Sequence, residues 1–124
     1  MHKLVLLAVL GAIGTLVRYG IATGVARGVA GGFPWGTLAV NLSGCFLFGL
    51  VATLARERGV IQPETASIVL VGFMGAYTTF SSFVGDTVAL GTASGLGLAL
   101  VNVLVENTGG IACFLAGSAL ARLV

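Results

Sequence analysis

Four apolar stretches, over residues 3–25, 35–55, 65–90 and 96–120, take up most of this chain, joined by short polar or glycine-rich links. A helix of about 20 apolar residues crosses the hydrocarbon of a bilayer, so each stretch can cross once. Of the 124 residues 57% are hydrophobic and 8% charged, whereas soluble domains carry about 25% charged residues. A soluble core of this size has no room for so much apolar surface. The fold class that follows is an all-α membrane protein, a single domain over residues 1–124 with four transmembrane helices. Twenty glycines agree with it, because small residues let membrane helices approach closely.

The amino terminus has the outline of a secretion signal, Met1-His2-Lys3 before an apolar run from Leu4 to Leu10. That run continues past Gly11-Ala12-Ile13-Gly14 without an A-x-A cleavage site, so a first spanning helix is the better reading. Several function classes are disfavoured at once. A net charge of +2 gives nucleic acid little to bind, and the one histidine, His2, has no second ligand near it. There is no phosphate-cradling glycine loop and no Ser/His/Asp set, so no enzyme is expected. Cys45 and Cys113 lie in apolar runs without ligand-type spacing and read as free thiols.

The polar residues inside the spans carry the functional argument. In the first, Gly11, Gly14/Thr15 and Arg18 share one face, and Gly20 and Gly24 form a small-xxx-small pair on another. Arg18 is either a snorkelling anchor or an anion-attracting charge at a pore mouth. A glycine-rich loop over Arg27–Pro34 leads to Trp35 at aromatic-belt depth. In the second span Thr37, Asn41, Gly44 and Phe48 form one stripe. Asn41 serves either an interhelical hydrogen bond or a hydrophilic track. In the fourth, Asn102, Glu106, Gly109/Gly110, Cys113 and Gly117 make a narrow stripe. An ionised Glu106 at helix centre would cost roughly 3 kcal/mol, so it must be paired, hydrated or protonated.

The third span holds the most informative stretch, Gly72 to Phe83. Glycine costs roughly 1 kcal/mol inside a helix, and threonine competes for backbone partners, so Gly72, Gly75 and Thr78-Thr79 predict a broken helix. A break at bilayer depth survives only where protein or water satisfies the freed backbone groups. The expectation is an ion site. Carbonyls of the break face a cation, while Thr79, Ser81, Ser82 and the edges of Phe80 and Phe83 face an anion, since an aromatic edge is positive. Taken alone, Phe80 and Phe83 would read as core packing. Asp86, three residues on, reads as solvated at the membrane edge.

Both termini fall on one side, with Lys3, Arg56, Arg58 and Arg122. Arg27 lies on the other, with Arg18 near its edge. The positive-inside rule places the termini in the cytoplasm by a small margin and leaves insertion in both orientations open. Four thin helices cannot enclose a wide pore, and one protomer would turn its polar stripes to lipid, so a homodimer is expected.

Three signatures carry a resemblance to the small fluoride channels of the Fluc (CrcB-type) family over essentially the whole chain. They are Gly11-Ala12-x-Gly14-x-x-x-Arg18-Tyr19, then Gly36-Thr37-x-x-x-Asn41-x-x-Gly44-x-Phe46-x-x-Gly49, then Gly72-Phe73-x-Gly75-x-x-Thr78-Thr79-Phe80-Ser81-x-Phe83. The resemblance implies an antiparallel, dual-topology homodimer in the cell membrane with two fluoride pathways along the subunit interface. It also implies a structural Na⁺ at the dyad, held by backbone carbonyls that map onto Gly75 and Thr78 of each subunit. Phe80 and Phe83 take the positions of the phenylalanines lining the track, Asn41 that of the helix-two asparagine, and Arg18 that of the helix-one arginine. Ser81 and Thr79 lie among its polar residues, beside Ser82 and Thr37.

This chain departs from the family in Ala76-Tyr77, in Ser82, and above all in helix four. A Glu106 carboxylate on the track would repel fluoride. Either it is protonated, or it faces away, or this track differs. The function implied is passive export of cytoplasmic fluoride. The alternative is a proton-coupled antiporter of the small multidrug type using Glu106, although such antiporters carry their glutamate in helix one. A third reading is a purely structural subunit of a larger complex.

Overall fold

The computed structural model describes residues 1–29 and 31–124; Ala30, inside the expected Arg27–Pro34 loop, lies outside the described residues. All the regular structure among the described residues is helical. The chain runs through α1 (His2–Gly28), α2 (Trp35–Arg56), α3 (Pro63–Ile68), a π-helical stretch (Val69–Met74), α4 (Gly75–Tyr77), α5 (Phe80–Ala93) and α6 (Leu96–Leu123). Grouped by length and hydropathy these make four segments able to cross a membrane: His2–Gly28, Trp35–Arg56, Pro63–Ala93 and Leu96–Leu123.

Local chemistry explains the ends. Pro63 opens α3 at a position where its missing N–H costs nothing, and Glu64 sits in the first turn, where the helix dipole favours negative charge. Gly95, between α5 and α6, has φ +94°, a conformation that a side chain would strain.

The third span is not uniform along its length. Its π-helical stretch is the kind of local widening that recurs at functional sites. After α4, Thr78 (φ −78°, ψ 158°) and Thr79 (φ −147°, ψ 105°) are extended. α5 then restarts at Phe80, capped by the Thr79 hydroxyl, which accepts the Ser82 N–H at 3.2 Å.

Glycines set the distances between helices. A Cβ at Gly49 would strike the Phe114 carbonyl on α6, and one at Gly117 would strike the Phe46 carbonyl on α2, so these two helices meet backbone to backbone. Gly14 brings α1 against the carbonyl of Phe73 in the π stretch, and Gly11 lies beside Gly72. Gly20 and Gly24 make no helix contact within the protomer, since a Cβ on either would meet nothing within 4 Å. The reason is that α1 spends its close approach on the Gly11/Gly14 side.

The buried core is small. Val40, Met74 and Tyr77 form its centre, with Leu47, Leu70 and Phe73 packed against them. Leucines and valines cover the outside, as a lipid-facing surface requires. At one end Arg122 on α6 grips Glu57, just beyond α2, through two hydrogen bonds of 2.8 and 2.9 Å. Those bonds hold the Glu57 carboxyl below its ordinary pKa.

Candidate functional site

The extended pair Thr78-Thr79 opens a groove of about 280 Å³ between the third span, α2 and α6. Asn41, Gly44 and Phe48 line it from α2, Thr78, Thr79, Phe80 and Phe83 from the third span, and Glu106 and Phe114 from α6. Gly44 belongs there for a steric reason, because a Cβ would collide with the Thr78 side chain.

Asn41 bonds both backbone polar groups of Thr79, the residue that precedes α5. In a continuous helix the Thr79 N–H would donate to the Gly75 carbonyl four residues back. Here it donates to Asn41 Oδ1 at 2.8 Å, while Asn41 Nδ2 donates to the Thr79 carbonyl at 3.3 Å. The carboxamide thus partners the Thr79 N–H and shares the Thr79 carbonyl with the Phe83 N–H at 3.4 Å, two groups that hydrocarbon could not satisfy. The second Nδ2 hydrogen goes to Glu106 Oε2 at 3.2 Å. Both donor hydrogens of Asn41 are therefore engaged within the protomer.

The same rearrangement frees two carbonyls. Gly75 loses the Thr79 N–H to Asn41, and Thr78 loses the Ser82 N–H to the Thr79 hydroxyl. Gly75 is exposed and Thr78 half-buried, so both lie towards the surface of the protomer. No group of three His, Cys, Asp or Glu side chains suited to a metal occurs among the described residues. A cation at this place would be held by neutral oxygens, and the two freed carbonyls are the right kind for a hard monovalent ion.

The aromatic pair divides its roles. The Phe80 and Phe83 ring centroids lie 5.5 Å apart, tilted by 51°, so neither ring hides the other's edge. Phe83 is buried at 9% exposure, whereas Phe80 is 76% exposed and stands at the mouth of the groove. Core packing accounts for Phe83 and, within one protomer, cannot account for Phe80. Ser81 and Ser82 sit on the exposed first turn of α5, with their hydroxyls 3.3 and 3.0 Å from Thr79 Oγ1.

Glu106 faces α2 and the groove, which removes the alternative that it turns away. It is 8% exposed, and its Oε1 has no hydrogen-bond partner. One turn earlier Asn102 is fully buried. Its Nδ2 donates to Thr87 Oγ1 at 2.8 Å, and its Oδ1 is likewise unpartnered.

Two expected site residues fall elsewhere. Thr37 donates to Asp86 Oδ2 at 2.6 Å and lines a separate cavity of about 500 Å³ beside Arg27 and Trp35. That bond also gives Asp86 a protein partner where solvation was expected. Arg18 is half-buried on α1, outside the groove, and forms no ion pair among the described residues. Sequence reasoning passed over Ser43, whose hydroxyl lies 2.7 Å from the Tyr77 OH and ties α2 to α4. A signal was present: Tyr77 within an apolar span needs a partner for its hydroxyl. Cys45 and Cys113 are both free thiols.

Over residues 5–118 the sequence matches the family model of the CrcB-like protein, Camphor Resistance (CrcB). The chain belongs to the CrcB-like family. Among curated CrcB-like relatives, one from Desulforapulum autotrophicum named "Fluoride-specific ion channel FluC" is 43% identical over 123 residues. That match covers 99% of this chain and 98% of the relative. Proteins of the same name from Solidesulfovibrio magneticus and Solibacter usitatus are 41% and 43% identical, covering 100% and 97% of this chain and 99% and 98% of theirs.

Proposed function

We propose that this chain is a fluoride channel, a multi-pass membrane protein that lets cytoplasmic fluoride leave the cell down its electrochemical gradient. The observation that carries the reading is the groove at Thr78-Thr79, in a chain at least 40% identical over nearly its full length to proteins named as fluoride channels. Fluoride is small and holds its water tightly, so a route for it must offer hydrogen-bond donors and positive aromatic edges in place of that water. Phe80 and Phe83 bring the edges, and the hydroxyls of Thr79, Ser81 and Ser82 bring donors. No covalent step is involved, and the chain acts as a channel rather than an enzyme.

The finer reading is an antiparallel homodimer that inserts in both orientations, with the third span broken at mid-membrane. Phe80, largely exposed in a single protomer, would be covered by a second copy, and the groove would close into a pathway between subunits. A central Na⁺ would be held by the Gly75 and Thr78 carbonyls of both copies, and the loss of their helical donors supports that assignment. Bound there, the ion would supply a fixed positive charge close to two anion routes. Thr37 and Arg18 would act at the approaches rather than in the groove.

Reconstituted protein followed with a fluoride electrode tests both levels. Fluoride-loaded vesicles should empty quickly in sodium and slowly when a large organic cation replaces it. Unchanged release without sodium would remove the cation from the account, and absence of release in either medium would remove the channel.

A further inference from the structure

Glu106 is the one carboxyl among the described residues lining the groove, and the fluoride reading leaves it without a task. We propose that fluoride passes only while Glu106 carries a proton, so that the charge state of its carboxyl decides whether the route admits an anion; the inference rests on the channel reading.

The geometry fixes where that proton sits. Oε2 already accepts the Asn41 N–H at 3.2 Å, so the hydrogen of the neutral acid belongs on Oε1. Oε1 is withdrawn from solvent and has no partner, and Asn102 Oδ1, one turn away on the same helix, is in the same position. A buried acceptor oxygen with no donor is costly, and a proton on Oε1 removes that unmet acceptor. The groove wall between Asn41 and the phenylalanines then presents a neutral carboxyl to a passing anion in place of a charge. The proton stays on the carboxyl throughout.

Ionised, the same side chain does the opposite. At about 4 Å and an effective dielectric of about 20, two like unit charges lower occupancy by about a thousandfold. Among the described residues no cation faces that charge, and the Asn41 N–H is the one donor on it. From α5 the charged group acting on Glu106 is Asp86, of the same sign, and α2 presents the Cys45 thiol. Cys113 lies further along α6. Arg56 and Arg122 stand at the far ends of their helices, with Arg122 bound to Glu57.

The experiment is fluoride efflux from vesicles at equal pH on both sides, with the leak of protein-free vesicles subtracted. Wild-type flux should fall at least about tenfold between about pH 5.5 and about pH 9.5. Glu106→Gln, uncharged and still a donor, should vary less than about twofold over that range and exceed the wild type at its alkaline end. Asp86→Asn should retain the fall. A flat wild-type profile would overturn the proposal without needing any variant to fold. A fall that persists in Glu106→Gln, or vanishes in Asp86→Asn, would overturn it as well. Wild-type protein that releases no fluoride at any pH would defeat the channel reading, and this inference with it.

Discussion

Asn41 shows how much one side chain can decide. Its carboxamide holds the N–H and the carbonyl of Thr79 and one oxygen of Glu106. Asn41→Ala would leave the Thr79 N–H and Glu106 Oε2 without partners and the Thr79 carbonyl with only the Phe83 N–H at 3.4 Å, at about 1–3 kcal/mol for each orphaned group that water cannot reach. The thermal midpoint of the purified protein should drop, and fluoride flux should drop with it. Retained stability and flux would mean that Thr79 finds other partners. The sequence marked Asn41 as needing partners but left open whether these were structural or part of a track. The structure shows why the two could not be separated, because the bonds that satisfy Asn41 also build the groove wall. That information lay in the pairing of residues 41 and 79, which spacing along either helix does not contain.

At the scale of elements, close approach between helices rests on a few glycines. Gly49→Ala and Gly117→Ala each drive a methyl into the backbone of the facing helix, and α2 and α6 must separate. Such overpacking typically costs about 1–3 kcal/mol. Gly24→Ala meets open space and should leave the stability of the protomer unchanged, a contrast that thermal unfolding in detergent can read directly. Equal effects at Gly24 and Gly117 would contradict this packing. The four spans were legible because hydrophobic runs of membrane length admit few alternatives. The partner of each glycine was not. Gly20/Gly24, four apart, carry the small-xxx-small pattern on α1 and Gly11/Gly14, three apart, do not, yet among the described residues the second pair is the one that meets another helix. Gly72 marked the neighbourhood of the π-helical stretch Val69–Met74 as a weak point of the helix, but no residue there signals a π turn in particular.

As a whole molecule, a single copy of the chain leaves much of the groove uncovered. Its core is small, Phe80 stands mostly exposed, and the groove is open along one side. A second copy placed across the third span would cover these features, and chemical cross-linking in native membranes should then yield a dimer as the main product. Of the residues grouped with the groove on sequence grounds, Thr37 lies one turn before Asn41 on α2, and Arg18 belongs to α1, which gives the groove no lining residue. The site is therefore a short stretch of the molecule, and the rest positions it. The account stands or falls on selective passage of one ion. In vesicles loaded with fluoride and chloride together, fluoride should leave rapidly while chloride stays almost entirely inside; equal release of both ions would contradict it.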